Sequence, residues 1–402
     1  MVQVTNEQNR AQLTLDKPLM VVTASYPPRS SGTAVIMYNL LRMFSPEQIV
    51  LQTKTVNKKT GHMAVRDGHQ PGYFFHQLSF SHRLNLRWQR LQALVAPHLI
   101  AGRAQRTRCG AILGVFPDLI TIDVARRGAA LARLPFVAYL HDTIVESFSE
   151  GRQRPKARKV QARIFKEAAS IIVVNQGMER LYKNKYRLDT PVVPHAFWGI
   201  DADIPATGET EKTVFFGGNV YGINHRSVSR VVEAVREIPG TRLVVASSKT
   251  RESLERYGLR GDSVDLTFFG DQAEYFSALG RQEILLVAVN WPDESSLVGP
   301  DELATIFSTK IVEYLTSGRP ILAHCPENYY VAQFIRERKC GVVVSERSPQ
   351  RLRDEILRLQ ADESRRRELA TNARLALDYF DGEKVSRLFH GEIQPILQRA
   401  KP

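Results

Sequence analysis

Lys310 and Glu313 stand three residues apart in the run Phe307-Ser308-Thr309-Lys310-Ile311-Val312-Glu313-Tyr314-Leu315-Thr316, followed by Ser317-Gly318-Arg319-Pro320 and the apolar triplet Ile321-Leu322-Ala323. Apolar residues at helical spacing, closed by glycine and proline, predict an amphipathic helix giving way to a buried strand. Near a helix start, an ammonium group neutralises a phosphate lying against the free amides, and a carboxylate accepts two ribose hydroxyls. The same pair also suits an ordinary amphipathic helix whose lysine and glutamate are solvated.

Other residues invite similar chemistry. Gly217 and Gly218 follow the apolar run Thr213 to Phe216 and precede a helical pattern from His225 to Glu237. Glycines there let a backbone approach phosphate closely, although a plain strand-to-loop turn explains them equally well. The polar stretch Asn290 to Ala304 reads as a long loop whose Asp293, Glu294, Asp301 and Glu302 either meet sugar hydroxyls or keep the loop soluble. Tyr139-Leu140-His141-Asp142 ends a predicted strand. Its imidazole can donate to a sugar or position an acceptor, and the carboxylate can orient the ring or accept from a hydroxyl. Glu146, one turn on, is a weaker candidate, and His195 reads as a loop residue. In the turn Pro27 to Thr33, Thr33 is placed to cap the following helix.

The elements that carry these residues fall into two series of apolar runs alternating with amphipathic segments, as in α/β domains with mostly parallel sheets. The first series opens at Leu19-Met20-Val21-Val22-Thr23 and a helical pattern over Ala34 to Phe44. Further strand candidates are 49–51, 119–121, 136–139, 170–174 and 191–193. Residues 201–212, with Pro205 and Gly208, read as a linker. The second series has strand candidates at 213–216, 242–246, 264–268, 284–288, 320–322 and 341–344, then helices from Pro349 onward with a break near Asp381-Gly382. The expected domains are 1–200, on the acceptor side, and 201–380, on the nucleotide-sugar side, with 381–402 as a final helix. The chain of 402 residues is long enough for two cores.

The order of elements and the segment around Lys310 and Glu313 resemble GT-B glycosyltransferases, in particular glycosyltransferase family 4. That resemblance implies two Rossmann-like domains facing across a cleft, with the last helix crossing back to the first domain. It also implies that Gly217, Gly218, Lys310 and Glu313 hold the donor. Gly32 and Thr33 would face the donor phosphates and the transferring sugar, and His141 and Asp142 would act at the cleft. The implied reaction is transfer of a sugar from a UDP- or GDP-linked donor to a glycan or lipid-linked acceptor, with retention at the anomeric carbon part of the resemblance. Two departures stand out. Thr305 occupies the place of the family's first glutamate, and Ser31 replaces the first glycine of the N-terminal pair. No Asp-x-Asp motif follows a strand in the required context, so no metal or other cofactor is expected, and Lys310 with backbone amides supplies the positive charge.

Charge is unevenly placed. Residues 1–200 contain 28 Lys and Arg against 12 Asp and Glu, and the remainder 27 against 30. No acidic residue occurs from Gly68 to Pro117, a stretch that includes Arg83, Arg87 and Arg90 beside Trp88, Leu91, Leu94 and Val95 at helical spacing. Such a pattern suits a helix lying on an anionic bilayer, or a solvated helix with Trp88 turned into the core. No nucleic-acid motif accompanies the charge, so nucleic acid is not the expected partner. With no apolar leader and no run able to span a bilayer, the expected location is cytoplasmic, with any membrane contact peripheral on the inner face. Three scattered cysteines, Cys109, Cys325 and Cys340, lack metal-ligand spacing. Two other functions fit the same features: a sugar-nucleotide epimerase on the same fold, and a non-catalytic basic protein that binds membranes or nucleic acid.

Overall fold

The computed structural model describes residues 12–27, 31–54, 72–75, 82–198, 211–270 and 272–399. At 73–75, 82–87, 89, 90 and 272 the description extends to the backbone alone. Among the described residues two compact units emerge, one ending at Trp198 and resumed by 381–399, the other running from Glu211 to Phe380.

In the first unit the strands are β1 (Leu19–Thr23), β2 (Ile49–Lys54), β3 (Gly72–Phe75), β4 (Ala111–Phe116), β5 (Phe136–Leu140) and β6 (Ala168–Val173). Its helices include α1 (Gly32–Leu40), α2 (His82–Arg106), α3 (Leu119–Ala132), α4 (Arg154–Glu167) and α5 (Gln176–Tyr186). The sheet is parallel, in the order β3-β2-β1-β4-β5-β6. Central strands β1, β4 and β5 are buried along their whole length, which is why they appear as unbroken apolar runs.

The second unit repeats the plan. It runs β7 (Glu211–Gly217), α6 (His225–Arg236), β8 (Arg242–Ala246), α7 (Arg251–Glu255), β9 (Val264–Thr267), α8 (Gln272–Arg281) and β10 (Gln282–Ala288). Then follow α9 (Pro300–Thr305), α10 (Thr309–Thr316), β11 (Ile321–His324), α11 (Tyr330–Glu337), β12 (Gly341–Val344), α12 (Pro349–Ala361) and α13 (Glu363–Ala376). The parallel order is β12-β11-β10-β7-β8-β9. Counted from its own first strand, each sheet reads 3-2-1-4-5-6, the doubly wound order. Its switch points lie between β1 and β4 and between β7 and β10, where ligands enter such sheets.

The last helix, α14 (Gly382–Arg399), belongs to the first unit. Ser386 donates to the Leu40 carbonyl at 3.1 Å, and Phe389 meets Phe44 edge-on at 5.9 Å. Gly382 starts this helix against Trp198, whose Cε2 a methyl group there would approach to 2.3 Å.

Four sequence expectations need correction. Leu119-Ile120-Thr121 is not a strand but the first turn of α3, because Asp118 accepts from the Thr121 amide at 2.7 Å and from its hydroxyl at 2.6 Å. Pro191-Val192-Val193 forms no strand, only an isolated bridge from Val192 to Val173. The cap of α1 is Ser31, whose hydroxyl accepts from the Ala34 amide, and Thr33 lies inside the helix. Residues 290–304 are not one loop, since a 3-10 turn at Pro292–Glu294 and α9 occupy much of them. Most of the expected linker lies outside the described residues, and Glu211 and Lys212 already belong to β7.

Candidate functional site

The second unit gathers four of the sequence candidates at its switch point. β7 ends at Gly217, and Gly218 turns with φ +127°, a value open to glycine, while its amide donates to the Ala246 carbonyl at 2.7 Å. The Gly217 amide donates to the Tyr314 hydroxyl at 2.7 Å, which joins the strand end to α10. A Cβ at Gly217 would come 2.5 Å from the Tyr275 hydroxyl, and one at Gly218 would come 2.6 Å from Lys310 Cε. Both glycines therefore make room for side chains of the same cluster, a steric demand beyond the phosphate approach read from sequence.

Ser308 caps α10, its hydroxyl accepting from the Lys310 amide. The Lys310 ammonium sits 5.6 Å from the centre of the Tyr275 ring. Glu313 follows one turn later, beside Lys310 and Tyr275. Its Oε2 is closed to solvent and has no hydrogen-bond partner among the described residues, and the same holds for the Tyr275 hydroxyl. Burial pushes the Glu313 carboxyl above its ordinary range, opposed by the Lys310 charge and by the neighbouring phenol. A carboxylate oxygen with no internal partner costs free energy unless something occupies its lone pairs.

The loop after Gly218 is held by residues that spacing did not single out. Asn290, fully buried, accepts from the Ser227 amide at 3.0 Å and donates to the Gly222 carbonyl at 3.1 Å. Asn224 accepts from the Tyr221 amide at 2.9 Å, and Asn219 accepts from the hydroxyls of Ser247 and Ser248. Tyr275 and Tyr314 were equally hidden, because their contacts with β7 span long stretches of chain. The acids of 290–304 have other engagements. Glu294 pairs with Arg230 and Asp293 with Arg347, which disposes of both as free sugar ligands. Glu302 is buried, and the Thr305 hydroxyl donates to the carbonyls of Asp301 and Glu302 at 3.0 and 3.1 Å.

In the first unit His141 and Asp142 leave the end of β5. The His141 amide donates to the Phe116 carbonyl at 3.2 Å, and its ring stands edge-on to Tyr139 with centroids 4.6 Å apart. Tyr139 in turn donates to the Val193 carbonyl at 3.0 Å, which brings the segment carrying His195 beside β5. Neither nitrogen of the buried His141 ring has a hydrogen-bond partner among the described residues. Burial, then the charge of His195, pulls the His141 imidazole well below its ordinary range, and burial takes His195 down to about 4. Burial pushes the Asp142 carboxyl up to about 6. His141 and His195 thus form a pair of neutral imidazoles, with the raised Asp142 carboxyl next to His141 in the chain. His195, read as a loop residue, is 6% exposed and faces inward.

Glu146 is structural: buried, it pairs with Lys185 at 2.8 Å and accepts from the Tyr186 hydroxyl. Gly32 and Thr33 open α1, and a Cβ at Gly32 would meet nothing within 4 Å among the described residues. On α2, Ala96, Ile100 and Ala104 are buried, with Ile100 packing on Gly128 of α3. The opposite face is open: Trp88 is 37% exposed and Leu91, Leu94, Val95 and Leu99 each more than half. The reading of Trp88 as a core residue is thereby corrected. The side chains of Arg83, Arg87 and Arg90 lie outside the described residues.

No family model matches the sequence, and no curated protein resembles it. Solved structures do match in shape. Sucrose-phosphate synthase from Thermosynechococcus elongatus superposes with a TM-score of 0.69 at 16% identity, over 96% of this chain and 100% of the other. HepE of Anabaena in complex with UDP-glucose gives 0.67 at 14%, over 94% and 99%. A glycosyltransferase from Rickettsia africae gives 0.64 at 10%, over 96% and 100%. With two Rossmann-like sheets of one topology and a final helix returning to the first unit, the chain has the GT-B fold.

Proposed function

We propose that this protein is a glycosyltransferase that moves a sugar from a UDP- or GDP-linked donor to a glycan or lipid-linked acceptor in cell-surface polysaccharide or glycolipid synthesis. The observation that carries the reading is the cluster of Gly218, Lys310 and Glu313 at the β7/β10 switch point, where the Lys310 side chain lies against the glycine turn and its charge acts on the Glu313 carboxyl. The Glu313 carboxylate, of intermediate exposure, is offered to the ribose hydroxyls. Lys310 and the amides after β7 meet the diphosphate and stabilise the negative charge that grows as it leaves. HepE, which shares the fold, has been solved with UDP and with UDP-glucose.

The reaction is read as retaining and independent of metal. The bond from the sugar's anomeric carbon to the diphosphate breaks, a bond to the acceptor oxygen forms on the same face, and the acceptor proton passes to a leaving-phosphate oxygen. His141, kept neutral by burial, and Asp142 position the acceptor hydroxyl or the transferring sugar. A lipid-linked acceptor is supported by the open apolar face of α2 and by the exposed Lys156, Arg158, Lys159, Arg163 and Lys166 of α4 in the same unit. Those features fit a protein that attaches peripherally to the inner face of a membrane from the cytoplasm. No described helix is long and apolar enough to cross one.

The test is release of UDP or GDP from a panel of sugar nucleotides, with and without a lipid extract as acceptor. Acceptor-dependent release supports transfer. Isomerised donor with its diphosphate intact makes the protein an epimerase instead, and no change in any donor removes the enzymatic reading.

A further inference from the structure

Four arginines line a cleft of the second unit. A cleft of about 530 Å³ is lined by Arg226, Ser229 and Arg236 of α6 and by Arg256, Tyr257 and Arg260 after α7. Residues 226, 229, 233 and 236 recur at helical spacing, so they share one face of α6. The opposite wall is fixed to it: Ser229 donates to the Tyr257 carbonyl at 2.6 Å and Arg236 to the Arg260 carbonyl at 2.7 Å. Gly258 and Gly261 take φ +83° and +103° to make that wall turn, and Leu254 and Leu259 anchor it in the core. At one end the rings of His225 and Tyr257 lie 5.1 Å apart.

The charge balance here is out of keeping with its surroundings. Elsewhere in this unit arginines pair with acids, as in Arg230 with Glu294, Arg242 with Asp265, Arg336 with Glu327 and Arg347 with Asp293. None of Arg226, Arg236, Arg256 and Arg260 has a carboxylate within ion-pair distance among the described residues, and Glu233 is the single acid on the cleft. Four guanidinium groups share one carboxylate on the cleft wall, with Glu252 acting on Arg256 from beside it, and the remaining excess of positive charge is relieved when an anion joins them. Their planar forks match the tetrahedral oxygens of phosphate in charge and geometry. The volume is that of a site for a small molecule. None of Gly217, Gly218, Lys310 or Glu313 lines it.

We infer that this cleft binds a small phosphorylated molecule, at a second anion site separate from the proposed donor site. The phosphate bridges the arginines of α6 and those after α7, and the His225–Tyr257 end receives the rest of the ligand.

The experiment titrates inorganic phosphate and glucose 6-phosphate, in separate arms at constant ionic strength, into the full chain and follows binding by calorimetry. Vesicles of phosphatidylglycerol form a third arm. The variants are Arg256→Ala with Arg260→Ala, Arg281→Ala with Arg365→Ala as a control of equal charge, and Glu313→Ala. Loss of two charge-assisted contacts should weaken phosphate binding by about tenfold or more in the first variant. The control and Glu313→Ala should bind as the wild type does, even if the donor reading fails. No phosphate binding by the wild type, equal weakening in the control, or loss in Glu313→Ala overturns the inference. So does a defect of the first variant confined to the vesicle arm, which would make the arginines a lipid-headgroup contact.

Discussion

Lys310 lies across Gly218, so that a methyl group on that glycine would stand 2.6 Å from Lys310 Cε. The first turn of α10 and the end of β7 thus set each other's positions. Gly218→Ala suffers twice, from the displaced lysine and from φ +127°. It should lose about 1–3 kcal/mol of stability and bind nucleotide more weakly. Gly32→Ala, with open space around it, should melt as the wild type does. Thermal melts of both variants, with and without nucleotide, check the contrast.

Glu313→Gln keeps shape while removing a charge that burial disfavours. The variant should be at least as stable as the wild type at neutral pH and yet bind donor less well, because an amide offers the ribose one acceptor in place of two. Melting temperature and donor affinity measured on one preparation separate the two effects. A parallel fall in both would make Glu313 a structural residue.

Asp142 gives a pH dependence of definite sign. Its carboxyl is held at about 6 in the folded chain against an ordinary 3.8. Between those values the folded state keeps a proton that the unfolded chain releases, so stability falls as pH rises through the window and levels off above it. Asp142→Asn removes that loss, gaining at most about 3 kcal/mol near neutral pH and nothing below about pH 4. The neutral His141 and His195 act in the opposite sense: as pH falls below the ordinary 6.5 their contribution is lost, for His195 down to about 4. Melting curves across this range should therefore show a steeper acid limb in the Asn variant.

Leu91→Asp with Leu94→Asp places charge on the open face of α2, where both side chains are more than half exposed. Melting temperature and nucleotide binding should not change. Co-sedimentation with anionic vesicles should fall sharply, and the wild type should prefer these over neutral vesicles. Equal recovery of wild type and variant would leave the face without a lipid role.

Strands β1, β5 and β8 were legible as short apolar runs bounded by turn residues, as a parallel sheet covered on both faces demands, whereas the buried β4 was not among the expected strands. Leu119-Ile120-Thr121 shows the limit of that signal. A buried helix turn looks the same over three residues, and the deciding feature is the Asp118 cap just ahead of it. Periodicity marked an apolar stripe on α2 but could not say which side faces the core. The stripe with Trp88 faces outward, while the small residues Ala96 and Ala104 take the contact side. Lys310 and Glu313 stood out through their spacing. Tyr275, Asn290 and His195 did not, since each acquires its place from contacts made far along the chain.

The central claim is that the Gly218–Lys310–Glu313 cluster binds a nucleoside diphosphate. Calorimetric titration of UDP and GDP into wild type, Lys310→Ala and Glu313→Ala tests it most directly. The account predicts saturable binding of one nucleotide by the wild type and about tenfold or greater weakening in each variant, as expected for loss of a charge-assisted contact. Wild-type binding that both variants retain in full, or no binding of either nucleotide, would contradict it.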